Sequence, residues 1–442
     1  MKPAITQVRQ FLMLYAACLI VFSSCSAGKQ IDKSAKETVL NSRALAAAHV
    51  GISIFDPAAN KYLYNYQGDK YFVPASNTKI ATCYAAMKYL GDSLVGLRVL
   101  NQANNLYIFP SGDPSFLHKD FPRQPVFEYL KQHSSSAITI IDHVWRDEPL
   151  GSGWSWNDYT SDYMAERSSL PVFGNVIEIS GDWNQLKSIP AFKFPYQSDG
   201  GGVLSDIHRQ QGSNKFNLIF KGEKERTFII PFATLNGYTN NKLLADTLHH
   251  NIDVPDASLK IDEHDPGIVA LYSQPTDAVL KPMMHRSDNF FAEQSLLMVS
   301  NERLGVMNDA KIIDTLLKTD FKDLPQKPRW VDGSGLSRYN LFTPQDLVFI
   351  LNKMKTEFGM DRIKEIFPTG GEGTISNYYK SDSTYIYGKT GTLSGVVAFS
   401  GFIYTGKGKL LVFSTIVNNH QSSATEVRRT IEKFLQGIRR RY

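Results

Sequence analysis

The sequence predicts an α+β fold: an antiparallel sheet flanked by helices, carrying a large β-rich insertion. Three observations predict it. A strand–turn–strand pattern runs directly into a helical one near residue 76. Three strand-like runs near the C-terminus lead into an amphipathic helix. Between these ends lies a long tract of short β-branched runs separated by turns. The 442 residues leave room for two or three domains.

The opening residues read as a targeting segment rather than as fold. Lys2 and Arg9 form a basic start, and Phe11 to Phe22 is an apolar run of signal-peptide length, too short for a comfortable membrane span. Residues 1–25 are therefore expected to direct export and to be removed. Two cleavage readings compete. Phe22-Ser23-Ser24-Cys25 looks like a lipobox, which would make Cys25 the lipidated first residue and the lipid the chain's membrane anchor. Ordinary cleavage near Ala27 is the rival. Cys18 lies inside the apolar run and leaves with the signal. With Cys25 lipidated, Cys83 has no cysteine to pair with, and buried packing is its expected role.

After a polar stretch from Lys29 to Lys36, Gly51 to Phe55 alternates like a strand. Asp56-Pro57-Ala58-Ala59-Asn60 is turn chemistry, and Tyr62 to Tyr66 returns. From Ser76, apolar residues Ile80, Cys83, Tyr84, Met87 and Leu90 recur at helical spacing until Gly91. Leu94 to about Pro275 is β-rich, with strands expected at Leu106 to Phe109, Ala137 to Ile141, Val176 to Ile179, Phe216 to Phe220 and Phe228 to Ile230, and a turn or linker at Gly200-Gly201-Gly202. The pattern is helical again from Ala278 through Asn289 to Leu304, with Ser287-Asp288-Asn289 within or beside the start of a helix. Ser383 to Tyr387, Gly395 to Tyr404 and Leu410 to Asn418 read as strands, and Ala424 to Ile438 as a closing helix whose Arg439-Arg440-Arg441 fits a solvated end better than a membrane contact. This organisation predicts a catalytic domain from residues 32–95 and 275–442, interrupted by residues 96–274 as two small nested domains.

Three strings carry chemistry: Ser76-Asn77-Thr78-Lys79, then Ser287-Asp288-Asn289, then Lys389-Thr390-Gly391. Together they supply a nucleophilic hydroxyl, an amine able to take its proton, a second hydroxyl, an amide and a cation, the parts needed for acyl transfer through a serine ester. Ser76 begins a helix and Lys79 lies one turn on, on the same face, while the helix dipole favours negative charge at Ser76. Lys79 can act as a base only when neutral. Burial and a neighbouring cation, with Lys389 the obvious choice, would shift it that way. Ser287 can pass a proton to a leaving amine, and Asn289 can hold a substrate amide through both its hydrogen-bonding ends. Asp288 suits a helix cap. Lys389 and Thr390 suit a carboxylate, and Gly391 lets backbone approach a ligand. No zinc-ligand spacing, dinucleotide fingerprint or phosphate loop is present, so neither metal nor cofactor is expected. A net charge of +5 spread over this length argues against nucleic acid as a partner.

These strings resemble those of the penicillin-recognising serine enzymes, and most closely the D-alanyl-D-alanine carboxypeptidase/endopeptidases of peptidase family S13, the low-molecular-mass class C penicillin-binding proteins. Further strings fit: Gly112-Asp113-Pro114-Ser115-Phe116, Gly153-Trp154-Ser155-Trp156-Asn157-Asp158, Asp332-Gly333-Ser334-Gly335-Leu336-Ser337-Arg338 and Gly371-Glu372-Gly373-Thr374. The resemblance implies a serine β-lactamase/DD-peptidase-like catalytic domain. It implies Ser76 as nucleophile, Lys79 as base, Ser287 as proton shuttle and Asn289 as peptide holder. It places Lys389, Thr390 and Thr392 on the terminal region of the substrate, and the backbone N–H groups of Ser76 and Thr392 in an oxyanion hole. Asp158 and Arg338 would take the amino and carboxylate ends of a diaminopimelate side chain. The implied partners are peptidoglycan stem peptides and, as covalent inhibitors, β-lactams, in the periplasm. A class A β-lactamase shares the three strings but needs a Glu base downstream of the nucleophile. Glu37-Thr38-Val39-Leu40-Asn41 has the right form but precedes Ser76, and the gap from Ser76 to Ser287 exceeds that of a compact lactamase. An inactive wall-binding module is disfavoured because all five chemical side chains are present.

Overall fold

A computed structural model describes residues 28–193, 201–254, 259, 261–262 and 265–442. The signal segment with Cys18 and Cys25, and Gly200 of the glycine turn, lie outside the described residues. Contacts group the chain into two units: one of residues up to Asn77, Leu324–Pro328 and Leu341–Tyr442, the other of Thr78–Asp323 and Arg329–Asn340.

The first unit is built on a five-stranded antiparallel sheet in the order Ile386–Leu393, Val396–Tyr404, Leu410–Asn418, His49–Asp56, Lys61–Tyr66. The hairpin of His49–Asp56 and Lys61–Tyr66 matches the turn chemistry at Asp56 to Asn60, and His49 pairs with Asn418 and Phe55 with Val412 to join it to the three C-terminal strands. Alternation puts Ile52, Ile54, Val397, Phe399, Leu411 and Phe413 on one buried face. The helix Ala424–Arg441 covers that face with Val427, Ile431, Phe434, Leu435 and Ile438. Each such side chain contributes about 1.5–3 kcal/mol on burial. The helix Pro344–Ile366 packs on the sheet as well, started by a capping box in which Thr343 and Asp346 satisfy each other's backbone N–H. This is the α+β architecture predicted, an antiparallel sheet flanked by helices.

One correction concerns the polar stretch at Lys29 to Lys36. Residues 28–35 are helical and continue through the π-helical turn Lys36–Leu40. Ile31, Ala35 and Val39, four residues apart, form a narrow buried stripe that joins the same core as the C-terminal helix. The charged residues between them mask that stripe.

In the second unit the helix Lys79–Tyr89 packs against Asn289–Leu304 and Thr276–His285. A five-stranded mixed sheet runs in the order Ile252–Asp253, Ala137–Ile140, Asn105–Pro110, Ser93–Gln102, Val269–Pro275. A three-stranded sheet (Phe228–Pro231, Val176–Gly181, Leu186–Ile189) and the pair Leu204–Arg209 and Phe216–Phe220 complete the β content. Every strand expected in this tract is present. Two helices also lie within it, Pro125–Gln132 and Tyr238–Leu248. The first begins with Pro125 at its first position and buries Val126 and Leu130 four residues apart, a local signal the β-rich background obscures. Cys83 is fully buried on the helix Lys79–Tyr89, as packing requires.

Candidate active site

The residues around Ser76 form a 3-10 turn, Ala75–Thr78, that leads into the helix Lys79–Tyr89. Asn77 is buried. Its side-chain Nδ2 donates to the Lys389 carbonyl at 3.0 Å, which ties the Ser76 turn to the edge strand Ile386–Leu393. Lys389, Thr390 and Gly391 all lie on that strand. Gly391 is needed there: a Cβ would stand 2.6 Å from the Pro74 carbonyl oxygen and about 3 Å from Asn77. Lys389 is buried, with Nζ donating to the Thr390 carbonyl at 2.8 Å. The Thr390 and Thr374 hydroxyls meet at 2.7 Å, giving the Gly371–Thr374 string a place beside the strand. The exposed Thr392 hydroxyl accepts from Arg428 Nη2 at 2.6 Å.

In the second unit Lys79 is fully buried. Its Nζ donates to Asn289 Oδ1 at 2.6 Å and to the Ser334 carbonyl at 2.7 Å. Burial pulls the ammonium down to about 8 from its ordinary 10.5, while Asp332, Glu293 and Asp288 oppose that shift. The charged groups facing the amine within this unit are therefore acids, and desolvation is what loosens its proton. Asn289 uses its other end too, donating through Nδ2 to the Tyr163 carbonyl at 3.0 Å.

The helical stretch from Ala278 to Leu304 is two helices, and the second string stands beside the start of the second. Thr276–His285 and Asn289–Leu304 are separate helices, and Ser287 between them has φ of 65°. That left-handed conformation is uncommon for a non-glycine residue. Asp288 caps the second helix, accepting from Phe291 N at 2.9 Å, and also accepts from Arg286 Nε at 3.1 Å. Ser287 and Asn289 line a cavity of about 420 Å³ with Tyr163, His118 and Arg286.

Asp158 and Arg338 lie on strings that the fold links. Trp154 Nε1 donates to Asp332 Oδ2 at 3.0 Å. Asp332 is buried and also accepts from Ser337 N, Gly335 N and Asn340 Nδ2 at 2.6, 2.8 and 2.7 Å. This carboxylate is the hub of the loop that presents both the Ser334 carbonyl and Arg338. Asp158 accepts from the Tyr163 hydroxyl at 2.9 Å, and Arg338 is exposed.

Asp332, Trp154, Tyr163, Glu293 and Arg167 surround the site without having been singled out as its parts. Glu293 had a readable signal, its position four residues after Asn289 on one helix. Arg167 had none, because its partners Asp147, Glu293 and Asp309 are scattered along the sequence. Among the described residues, no group of three or more His, Cys, Asp or Glu side chains is placed to hold a metal ion, and no helix is long and apolar enough to cross a membrane.

Fold and sequence together define a serine-type carboxypeptidase. More narrowly, the chain belongs to the D-Ala-D-Ala carboxypeptidase 3 (S13) family, whose model matches residues 32–441. It is 23% identical to the D-alanyl-D-alanine carboxypeptidase DacB of Haemophilus influenzae over 86% of this chain and 87% of that protein. It is 25% identical to the D-alanyl-D-alanine carboxypeptidase of an Actinomadura species, over 88% of this chain and 81% of that one. The crystal structure of penicillin binding protein 4 (dacB) from Haemophilus influenzae shares the fold, with a TM-score of 0.70 at 20% identity, covering 91% of this chain and 97% of that chain. The same protein complexed with a β-lactam aligns over the same shares at a TM-score of 0.64 and 18% identity.

Proposed function

We propose that this chain hydrolyses D-alanyl-D-alanine ends and D-alanyl cross-links of peptidoglycan peptides through an acyl-Ser76 intermediate, and that β-lactams block it by acylating the same hydroxyl. The observation that carries the reading is the buried Lys79 amine, held between Asn289 and Ser334 with its proton loosened toward neutrality. A neutral amine has two N–H bonds and one lone pair. With its two hydrogens given to Asn289 Oδ1 and the Ser334 carbonyl, the lone pair takes the one tetrahedral position that remains. In this mechanism that position receives the proton of the Ser76 hydroxyl.

Ser76 Oγ then attacks the carbonyl of the penultimate D-alanine. The backbone N–H groups of Ser76 and Thr392 hold the oxyanion, each worth about 3 kcal/mol to the transition state. Ser287 relays the proton that Lys79 took from Ser76 on to the leaving amine, so that its own hydroxyl is restored and Lys79 is neutral again, and the C–N bond breaks as the amino acid departs. Lys389 and Thr390 hold its carboxylate, and Gly391 allows the close approach. Water attacks the ester, returns the proton through Lys79 and frees Ser76. In a β-lactam the leaving nitrogen stays tethered, so it blocks the path of that water. The Haemophilus influenzae relative seen with a β-lactam supports this extension. Asp158 and Arg338 are assigned to the two ends of a zwitterionic side chain on the stem peptide, an acid for the ammonium and a guanidinium for the carboxylate. The signal-like segment at residues 1–25 and the wall-directed chemistry support export to the periplasm, with Cys25 as the lipid attachment point.

Digestion of defined muropeptides tests the reading. Release of D-alanine from uncross-linked pentapeptides, and conversion of cross-linked dimers to monomers, is the expected result. Intact substrates after prolonged incubation with penicillin-reactive protein would overturn it.

A further inference from the structure

We infer that Glu293, held by Arg167, is a positioning residue that fixes the Lys79 amine by gripping Ser334. The inference rests on Lys79 being the base. Asn289 and Glu293 stand one turn apart on the helix Asn289–Leu304. The first accepts directly from Lys79 Nζ at 2.6 Å. The second accepts the Ser334 N–H through Oε1 at 2.7 Å, and the carbonyl of that same Ser334 accepts from Lys79 Nζ at 2.7 Å. One helix thus sets both acceptors of the amine, one by contact and one through Ser334.

The loop between them has little slack. Gly333 lies so close to the helix that a Cβ would stand 2.7 Å from the Ala292 carbonyl oxygen. From the other side, Thr82 on the helix of Lys79 donates to the Gly333 carbonyl at 2.7 Å. Lys79, its helix, the loop and the helix of Glu293 therefore form one clamp. Releasing Ser334 would free one N–H of the amine and let the lone pair swing away.

A bare carboxylate here would hold Lys79 charged, and Arg167 offsets it. The guanidinium is buried, with Nη1 at 3.4 Å from Glu293 Oε2 and 2.6 Å from Asp309 Oδ2, and Nη2 at 2.9 Å from Asp147 Oδ1. Among the described residues, the charged groups facing Lys79 include Asp332, Glu293 and Asp288, and those facing Glu293 include Asp332, Arg167 and Asp309. Burial and Asp332 push the Glu293 carboxyl up to about 7, and Arg167 opposes that push and favours its ionised form.

The test is the rate of acylation by a fluorescent penicillin against pH, on the full chain, for Glu293→Gln and Glu293→Asp. The amide keeps an acceptor for Ser334 and removes the charge. Acylation should persist with its pH midpoint moved about one unit to the acid side. The shorter acid keeps the charge and withdraws the acceptor. Its midpoint should hold while the acylation step slows by about 10- to 100-fold without weaker penicillin binding. Loss of acylation in a folded Glu293→Gln, which keeps the acceptor, or a wild-type rate in Glu293→Asp, which withdraws it, overturns the inference. If the first variant fails to fold, the second decides alone. Label found on a residue other than Ser76 in the unmodified protein would instead sink the reading of Lys79 itself.

Discussion

Lys79 Nζ and Asn289 Oδ1 lie 2.6 Å apart although 210 positions separate them in the chain. The intervening chain is folded so that Asn289 returns to Lys79. That return buries an amine whose proposed role as base requires it to be neutral, and burial is what brings neutrality within reach near pH 8.

Acylation should therefore rise with pH along a single ionisation. Below the lowered value Lys79 is protonated and cannot take the Ser76 proton, so the rate is low; as pH climbs through about 8 the amine empties and the rate reaches a plateau. Stopped-flow acylation by a chromogenic cephalosporin from pH 6 to 10 reads this directly. A midpoint near 10.5, the ordinary value, would mean that burial does not tune this group.

Asn289→Asp places a carboxylate where a neutral amide now contacts the amine. The opposite charge favours the ammonium, so the midpoint should move about 1–3 units to the alkaline side and acylation at pH 7 should fall at least tenfold. The same pH series checks it, with thermal unfolding to show that the fold persists.

Much of this was legible beforehand, and the reasons are local. The hairpin at Asp56 to Asn60, the strands at Leu410–Asn418 and Phe216–Phe220 and the helix after Ser76 declare themselves by period and turn chemistry within a few residues. Lys79 on a helical turn after Ser76 is equally local. The left-handed Ser287 that splits two helices was not, because serine carries no mark of that backbone state. Nor was the Asp332 hub, whose donors come from Trp154 and from its own loop. The helix at residues 28–35 is signalled by the spacing of Ile31, Ala35 and Val39, which the charged residues between them mask.

Gly391→Val should damage stability and function together. A branched side chain on that strand meets the Pro74 carbonyl and Asn77, so the Ser76 turn must shift or the strand must bend. A loss of about 2–4 kcal/mol in denaturant unfolding and at least a hundredfold slower acylation are expected. Unchanged stability would mean the strand and turn are less tightly joined than the Asn77–Lys389 hydrogen bond implies.

Asp158→Ala and Arg338→Ala should separate substrate recognition from chemistry. Hydrolysis of stem peptides bearing a free diaminopimelate end should fall about 10- to 100-fold in kcat/KM, each variant removing one charged contact. Penicillin acylation, which has no such side chain to place, should stay within about threefold of the unmodified protein. Equal losses on both reactions would make these residues structural.

The central claim is that Ser76 forms the acyl-enzyme. Intact-protein and peptide mass spectrometry after incubation with penicillin tests it most directly. The expected result is one adduct per chain on the peptide containing Ser76, and none in a folded Ser76→Ala protein. An adduct on another residue, or undiminished labelling of Ser76→Ala, would contradict the account.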